Sequence, residues 1–454
     1  MVDILIVGAT GFCGRHAARY ILQHPERSKY TVGLAARSRS KLASIGLPLD
    51  DSVQVFKVDI FDARAIESAV KQAKVVLNCV GPFWHYGTPV VRCVFPDLNA
   101  LSARAYAGLT ILCPSACARH GIHYVDITGE TPWILDIIKE FDYLATKTRA
   151  VIVPSCGVDS IPADASVHLA SKALGRVPLG ASLTSAGLRG GAPGGTIASF
   201  FAVFEDVPSE RIKDSARDWA LSPVRGARSP AERLVYRLGR RAHVGGIAVF
   251  GRVNRAIVQR TAGLLELHRR SARAGDAGGR GAAATGSGDL ACYGPAFTYT
   301  EFTPTGNVVS AFLLSLAIGL TFVTLKFIAP FRWVVKHLVT QPGSGPADHT
   351  LESGRLEYVN VTMSDEPSPR CAKTIIKARG DPGTLLTAVM VGESALALLF
   401  GELTPLAAGG GVLTPMTAFG DSIIRRLKAN ERFEITSGIV DSPDEEVDES
   451  RKRR

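Results

Sequence analysis

Two short stretches carry most of the residues able to hand over a proton. "HYVDITGE" (123–130) offers Tyr124, Asp126 and Glu130, and "GVDSIPAD" (157–164) offers Asp159, Ser160 and Asp164. The first begins with a short strand-like run and the second follows one, which puts phenol and carboxyl groups at strand ends, where they can protonate or stabilise a developing negative charge. Tyr124 is the first candidate, Asp159 the second and Glu130 the third. The structural alternative is that Asp126 and Asp159 cap helices and touch no substrate. Other chemistries fit less well. Ser155 and Ser160 lack a GxSxG elbow, and His120 and His123 have no acidic partner at ligand spacing, so no metal site is expected.

The redox partner of such a donor is suggested by "DILIVGATGFCG" (3–14). A strand-like run flows into Gly8, Gly11 and Gly14, and a helical pattern follows. That context is what a dinucleotide fingerprint requires: the first glycine allows the tight turn, the second lets the backbone approach a pyrophosphate, and the third brings helix and strand together. Backbone N–H groups around Thr10 and Phe12 would face the phosphates at a positive helix end. In "GLAARSRSKL" (33–42) no acid stands where a ribose 2′-hydroxyl would be bound; Arg37, with Ser38 and Lys41, suits a 2′-phosphate, and NADP(H) is the expected cofactor. In "LNCVGPF" (77–83), Gly81 and Pro82 turn the chain beyond a strand end and supply a third cofactor contact.

These positions need a scaffold, and residues 1–157 provide the pattern for one. Strands are expected at 4–7, 31–36, 53–58, 75–79, 123–126 and 150–154, with helices in most of the gaps. This alternation predicts an α/β protein with a doubly wound parallel sheet of Rossmann type. Residues 92–116 lengthen one crossover with poor helical periodicity and read as a dispensable insertion. A second, mixed α/β domain is expected over 158–433, for substrate binding or oligomerisation. It contains a low-complexity loop at 273–289, and the chain ends in a charged tail at 441–454.

The chain of 454 residues, 46% of them hydrophobic, is large enough for two domains. Its net charge of +10 is compatible with a phosphorylated cofactor or an anionic surface, but aromatics do not interleave with the arginines between Arg211 and Arg280, which disfavours nucleic acid. The eight cysteines show neither paired zinc spacing nor the density of a disulfide scaffold. The first strand starts at residue 3 with no signal-peptide pattern before it, so a cytoplasmic protein is expected.

"GATGFCG", "NCVGPFWHYGTPVV", "HYVDITGE", "GVDSIPAD", "GGAPGGTIAS", "YGPAFTYTEF", "GDPGTLLTAVMVGESALAL" and "GGVLTPMTAFGD" occur in this order over residues 2–433. In these motifs the chain resembles the saccharopine dehydrogenase-like oxidoreductases, a family that includes animal lipid-droplet proteins and the mycobacterial trans-acting enoyl reductases. The resemblance implies a Rossmann domain, a mixed second domain and NADP-linked reduction of an unsaturated or carbonyl group in a lipidic substrate of lipid or glycolipid metabolism. It does not imply saccharopine as the substrate. The contrasting reading is a non-catalytic NADP(H)-binding protein at a membrane or lipid-droplet surface.

Residues 308–325, "VVSAFLLSLAIGLTFVTL", are eighteen without a charge, at the lower edge of a bilayer span. A single span would part motifs that must share one fold. The expectation is therefore a monotopic insertion that turns near Pro330, with Lys326, Arg332, Lys336, His337 and Trp333 at the headgroups. The alternatives are a buried core helix or a homodimer interface.

Overall fold

A computed structural model describes residues 1–47, 49, 52–86, 112–158, 160–191, 193–239, 243–277, 293–338 and 343–447. The alternating half yields β1 (Val2–Val7), β2 (Val32–Ala36), β3 (Val53–Lys57), β4 (Ala73–Asn78), β5 (His123–Asp126) and β6 (Val151–Val153). The other half yields β7 (Leu179–Arg189), β8 (Tyr236–Leu238), β9 (His243–Ile247), β10 (Thr298–Thr305), β11 (Arg355–Ser364), β12 (Cys371–Arg379), β13 (Gly411–Val412) and β14 (Phe433–Val440).

The first sheet is parallel throughout, in the order β13-β6-β5-β4-β1-β2-β3. Strand order reverses between β1 and β4, which opens a crevice beyond their carboxyl ends. Near-continuous apolar burial in β1, β2 and β4 matches a sheet covered on both faces. The boundary expected at 157 does not contain this unit, because β13 pairs with β6 and the buried helix Thr387–Leu399 packs on the Phe12–Leu22 helix and on β4. A Cβ at Gly392 would stand 2.5 Å from the Tyr20 ring, so only glycine allows that approach. A polar cluster fastens the same junction: Glu393 accepts hydrogen bonds from Tyr20 and from Arg426 (3.0 Å) and contacts His24 at 3.0 Å.

The second sheet runs β14-β12-β11-β7-β10-β9-β8 and is mixed, with β7 and β10 the parallel pair. Helices Ile161–Ala173 and Gly251–Ala277 pack against it. Residues 273–277 belong to the second of these helices rather than to a loop; residues 278–289 lie outside the described residues. Within the proposed insertion, 92–111 lie outside them too. Its C-terminal end, however, begins the Leu112–His120 helix, and Ala116 is fully buried. Ala116, the last residue of that stretch, is therefore part of the core.

The apolar segment forms one helix, Val308–Phe327, capped by Asn307, whose Oδ1 accepts from the Ser310 N–H at 2.9 Å. It touches β9 along a narrow strip of small residues. A Cβ at Gly246 would lie 2.5 Å from the Ala311 oxygen, and the Ser315 hydroxyl accepts from the Ile247 N–H at 2.9 Å while donating to the Leu234 carbonyl at 2.6 Å. Ala311, Ser315 and Leu325 are its buried residues, so the core-helix alternative does not hold. The chain breaks at Ile328, and a second helix, Ala329–Leu338, holds Pro330 in its first turn, where the missing N–H costs nothing.

Candidate functional site

At the mouth of the crevice Gly8 has φ +86°, a left-handed conformation that an L side chain rarely adopts. A Cβ there would also meet Val80 at 2.7 Å, so the loops after β1 and β4 touch at this glycine. Gly11 donates its N–H to the Gly8 carbonyl at 2.9 Å, and half-buried Thr10 occupies the turn between them. A Cβ at Gly14 would stand 2.1 Å from the Gly8 oxygen, which makes it the close-packing glycine, whereas at Gly11 a Cβ would meet only that oxygen, at 3.2 Å. Beyond Gly11 the space is open, and a pyrophosphate fits this cradle. The helix Phe12–Leu22 starts at its rim, and the buried Phe12 ring fills the position facing Gly345, where a Cβ would come within 2.2 Å.

Arg37 is exposed just past the end of β2. Ser38 caps the short helix Arg39–Ser44 by accepting from the Lys41 N–H at 3.3 Å, and the Lys41 side chain is exposed. This strand end suits a phosphate on the adenosine ribose.

The inner end of the crevice is a cavity of about 170 Å³. Gly11, Phe12, Gly81 and Glu130 line it, together with Ser199 and Phe200. Pro82 is buried beside it. Glu130 Oε1 accepts from the Phe83 N–H and Oε2 from the Trp84 N–H, both at 2.7 Å, so the carboxylate fixes the chain after Gly81 and Pro82. Burial raises the Glu130 pKa above the usual carboxyl range, against the opposing hydrogen bonds from Ser199, Trp84 and Phe83.

Of the proton-donor candidates among the described residues, Glu130 lines this cavity and Tyr124 does not. Tyr124 is fully buried in the sheet; its hydroxyl donates to Asp126 Oδ2 at 2.9 Å and accepts from Asn78 Nδ2 at 3.0 Å. Asp159 lies outside the described residues. Asp126 does not cap a helix: its Oδ1 accepts from the N–H groups of Thr128 (3.0 Å) and Ser155 (2.9 Å), tying the loops after β5 and β6. Burial pushes its pKa up to about 7.

Thr196, Ser199 and Phe200 were not singled out from the sequence. They belong to the helix Gly194–Glu205, which begins within "GGAPGGTIAS". In that motif a Cβ at Gly190 would stand 2.3 Å from the Asp381 carboxylate and one at Gly191 2.3 Å from Pro346, so these two glycines allow the close packing of the loop before the helix. Asp381, in "ARGDPG", holds the same loop by accepting from the Gly191 N–H at 2.8 Å.

Residues 4–95 match the family model "Saccharopine dehydrogenase NADP binding domain". A Mycobacterium tuberculosis protein provisionally named a trans-acting enoyl reductase is 30% identical over 459 residues, covering 94% of this chain and 95% of its own. The chain belongs to this saccharopine dehydrogenase-like oxidoreductase family. The trans-acting enoyl reductase of Mycobacterium ulcerans is 25% identical over 94% of this chain and 95% of its own. Apo saccharopine dehydrogenase (L-Glu forming) from Saccharomyces cerevisiae aligns with 97% of this chain and 100% of its own, at 12% identity and a TM-score of 0.44. As a member of the family, the chain is an NADP-dependent oxidoreductase, and the glycine cradle and Arg37 lie within the residues that match the NADP-binding model.

Proposed function

We propose that the protein uses NADPH to reduce an unsaturated or carbonyl group of a lipidic acyl substrate. The observation that carries this reading is the meeting of the glycine loop, the Gly81 turn, the buried Glu130 and its half-buried partner Ser199 in one cavity with aromatic walls. The enoyl reductases among its relatives support it. NADPH, when bound, supplies a hydride to one atom of the double bond; the other atom then takes up a proton.

The remaining work falls to the chain's own residues. The turn from Gly8 to Gly14 holds the pyrophosphate, and Arg37, Ser38 and Lys41 receive the 2′-phosphate. Phe83, Phe200 and Val203 keep water from the reacting atoms. Glu130 keeps a proton to higher pH than an exposed carboxyl and shares a hydrogen bond with Ser199, so the pair presents a proton at the cavity wall.

Stopped-flow oxidation of bound NADPH by 2-enoyl thioesters tests the reading. Wild type should turn over once per bound NADPH, and Glu130→Gln should bind NADPH but react at least tenfold more slowly. NADPH binding without turnover of any acyl substrate would favour the non-catalytic reading.

The same reading includes a lipid surface as partner. Along the Val308–Phe327 helix and its successor, Leu320 is 61% exposed, Phe327 73% and Trp333 63%, an apolar ridge too large for an ordinary monomer surface. Lys326 lies at its end, exposed and over the Phe327 ring, and suits an anionic headgroup. Arg332 and Lys336 are instead engaged with Glu205, and the His337 side chain lies outside the described residues. We place the protein in the cytoplasm, peripheral on a membrane or lipid droplet.

A further inference from the structure

The cavity at the inner crevice, about 170 Å³, is smaller than the roughly 300 to 1,000 Å³ of most small-molecule sites. It is too small for a nicotinamide and an acyl chain together. A second cavity, of about 280 Å³, lies under the apolar helix, between that helix, β9, β10 and the start of the Gly251–Ala277 helix.

The two spaces adjoin through aromatic rings. Phe250 lines the first, and its chain neighbours Val249 and Gly251 line the second. Phe200, in the first, meets Phe322, in the second, with ring centroids 5.4 Å apart; Phe204 closes the cluster at 5.2 Å from Phe200 and 5.8 Å from Phe322. These contacts are tilted and apolar, of the kind that rotamer changes can part.

The charged groups lining the second cavity face other protein groups, Arg255 lying 3.9 Å from Asp218. Arg252 forks onto Glu232 through two bonds, of 2.8 and 3.0 Å, and Glu301 accepts from Asn254 Nδ2 at 2.9 and 3.0 Å and from the Tyr299 hydroxyl at 2.8 Å. What they leave for an occupant is apolar: Ile247, Val249, Ile318 and Phe322. The cavity opens at Gly319, which is exposed and has no heavy atom within 4 Å of where its Cβ would stand.

We propose that this second cavity receives the alkyl chain of an acyl substrate, which enters beside Gly319 and passes the Phe200–Phe204–Phe322 cluster to bring its reacting carbons to Glu130. The proposal rests on the acyl-reductase reading and adds to it a tail site, and a route that starts on the helix with the exposed apolar ridge. A chain drawn from a lipid surface would then leave the lipid and enter the protein without crossing bulk water.

The test uses the full-length protein with NADPH and two variants. Gly319→Phe places a ring at the open mouth, and Leu320→Glu alters the exposed ridge next to it. A fluorescent dodecanoyl probe, titrated without lipid, should bind wild type and Leu320→Glu alike and bind Gly319→Phe at least tenfold more weakly, with NADPH affinity equal in all three. In turnover, Gly319→Phe should raise KM for a twelve-carbon 2-enoyl thioester at least tenfold and leave a four-carbon one within twofold. If no thioester turns over but the probe result holds, the reductase reading fails and the tail site stands. Equal probe binding by wild type and Gly319→Phe, no binding to wild type, or equal KM changes for both chain lengths would overturn the tail site.

Discussion

Gly14 lies so close under Gly8 that a Cβ on it would stand 2.1 Å from the Gly8 carbonyl oxygen. The two glycines therefore hold the first strand and its helix together, while Gly11 between them faces open space on its cofactor side. Substitutions at these positions should fail in different ways. Gly14→Ala forces backbone apart and should lower the melting temperature and abolish NADPH binding together. Gly11→Val has an ordinary extended backbone to occupy (φ −76°, ψ 166°) and should leave the melting temperature nearly unchanged while losing NADPH and NADH alike. Thermal unfolding with and without cofactor separates the two, and an unchanged cofactor affinity in Gly11→Val would show that the pyrophosphate does not lie there.

Arg37 should decide between the two nicotinamide cofactors. A charged hydrogen bond to the 2′-phosphate contributes about 1.5 to 3 kcal/mol. Arg37→Ala should then weaken NADPH roughly 10- to 100-fold and NADH by less than twofold, read by fluorescence titration at low salt. Equal losses for both cofactors would reject the assignment.

The fold around this site was legible because its chemistry is local. Each strand of the parallel sheet up to β6 is a short apolar run next to its own turn signal, and the spacing of Gly8, Gly11 and Gly14 states the roles that the geometry repeats. The strand β13 could not be read that way. Two residues, Gly411 and Val412, carry no periodicity, and their place beside β6 is set by tertiary pairing across more than half the chain. Tyr124 was favoured as a donor because a strand end implies the crevice. Strand side chains alternate between faces, however, and this one turns into the sheet core, where Asn78 and Asp126 engage its hydroxyl. Glu130, four residues beyond the strand, reaches the cavity. Ser199 and Phe200 come from a helix more than sixty residues further along, and no local signal joins them to it.

Asp126 makes stability depend on pH in a known direction. Its folded pKa of about 7 stands above the ordinary 3.8, so between these values the unfolded carboxyl is ionised while the folded one keeps its proton. Each step up in pH within that window favours unfolding; below 3.8 the effect vanishes, and above 7 it is constant. Asp126→Asn removes the titration. Relative to wild type, the variant should gain on the order of 2 kcal/mol between pH 5 and pH 8, measured by urea unfolding at the two pH values. Asp164, also raised to about 7 by burial, keeps its own slope in both proteins and cancels in the comparison. A difference that does not change with pH would mean that Asp126 is ionised throughout.

The ridge formed by the Val308–Phe327 helix and its successor gives the last prediction. Leu313 is 56% exposed, and with Leu320 it lies on the side of the helix away from Ala311 and Ser315, which hold it to β9. Burying one such leucine in lipid contributes about 1.5 to 3 kcal/mol, and a carboxylate in its place is repelled by anionic headgroups as well. Purified wild type should float with vesicles of anionic phospholipid. Leu313→Glu and Leu320→Glu should remain below while binding NADPH normally. Raised salt should weaken flotation of wild type only in part, because Lys326 contributes a screened attraction and the ridge an unscreened one. Two results would assign the ridge to a second copy of the chain: wild type that stays below, or a wild-type dimer in gel filtration that either glutamate splits. The ridge would then serve assembly, and the acyl chain would have to reach the cavity from solution.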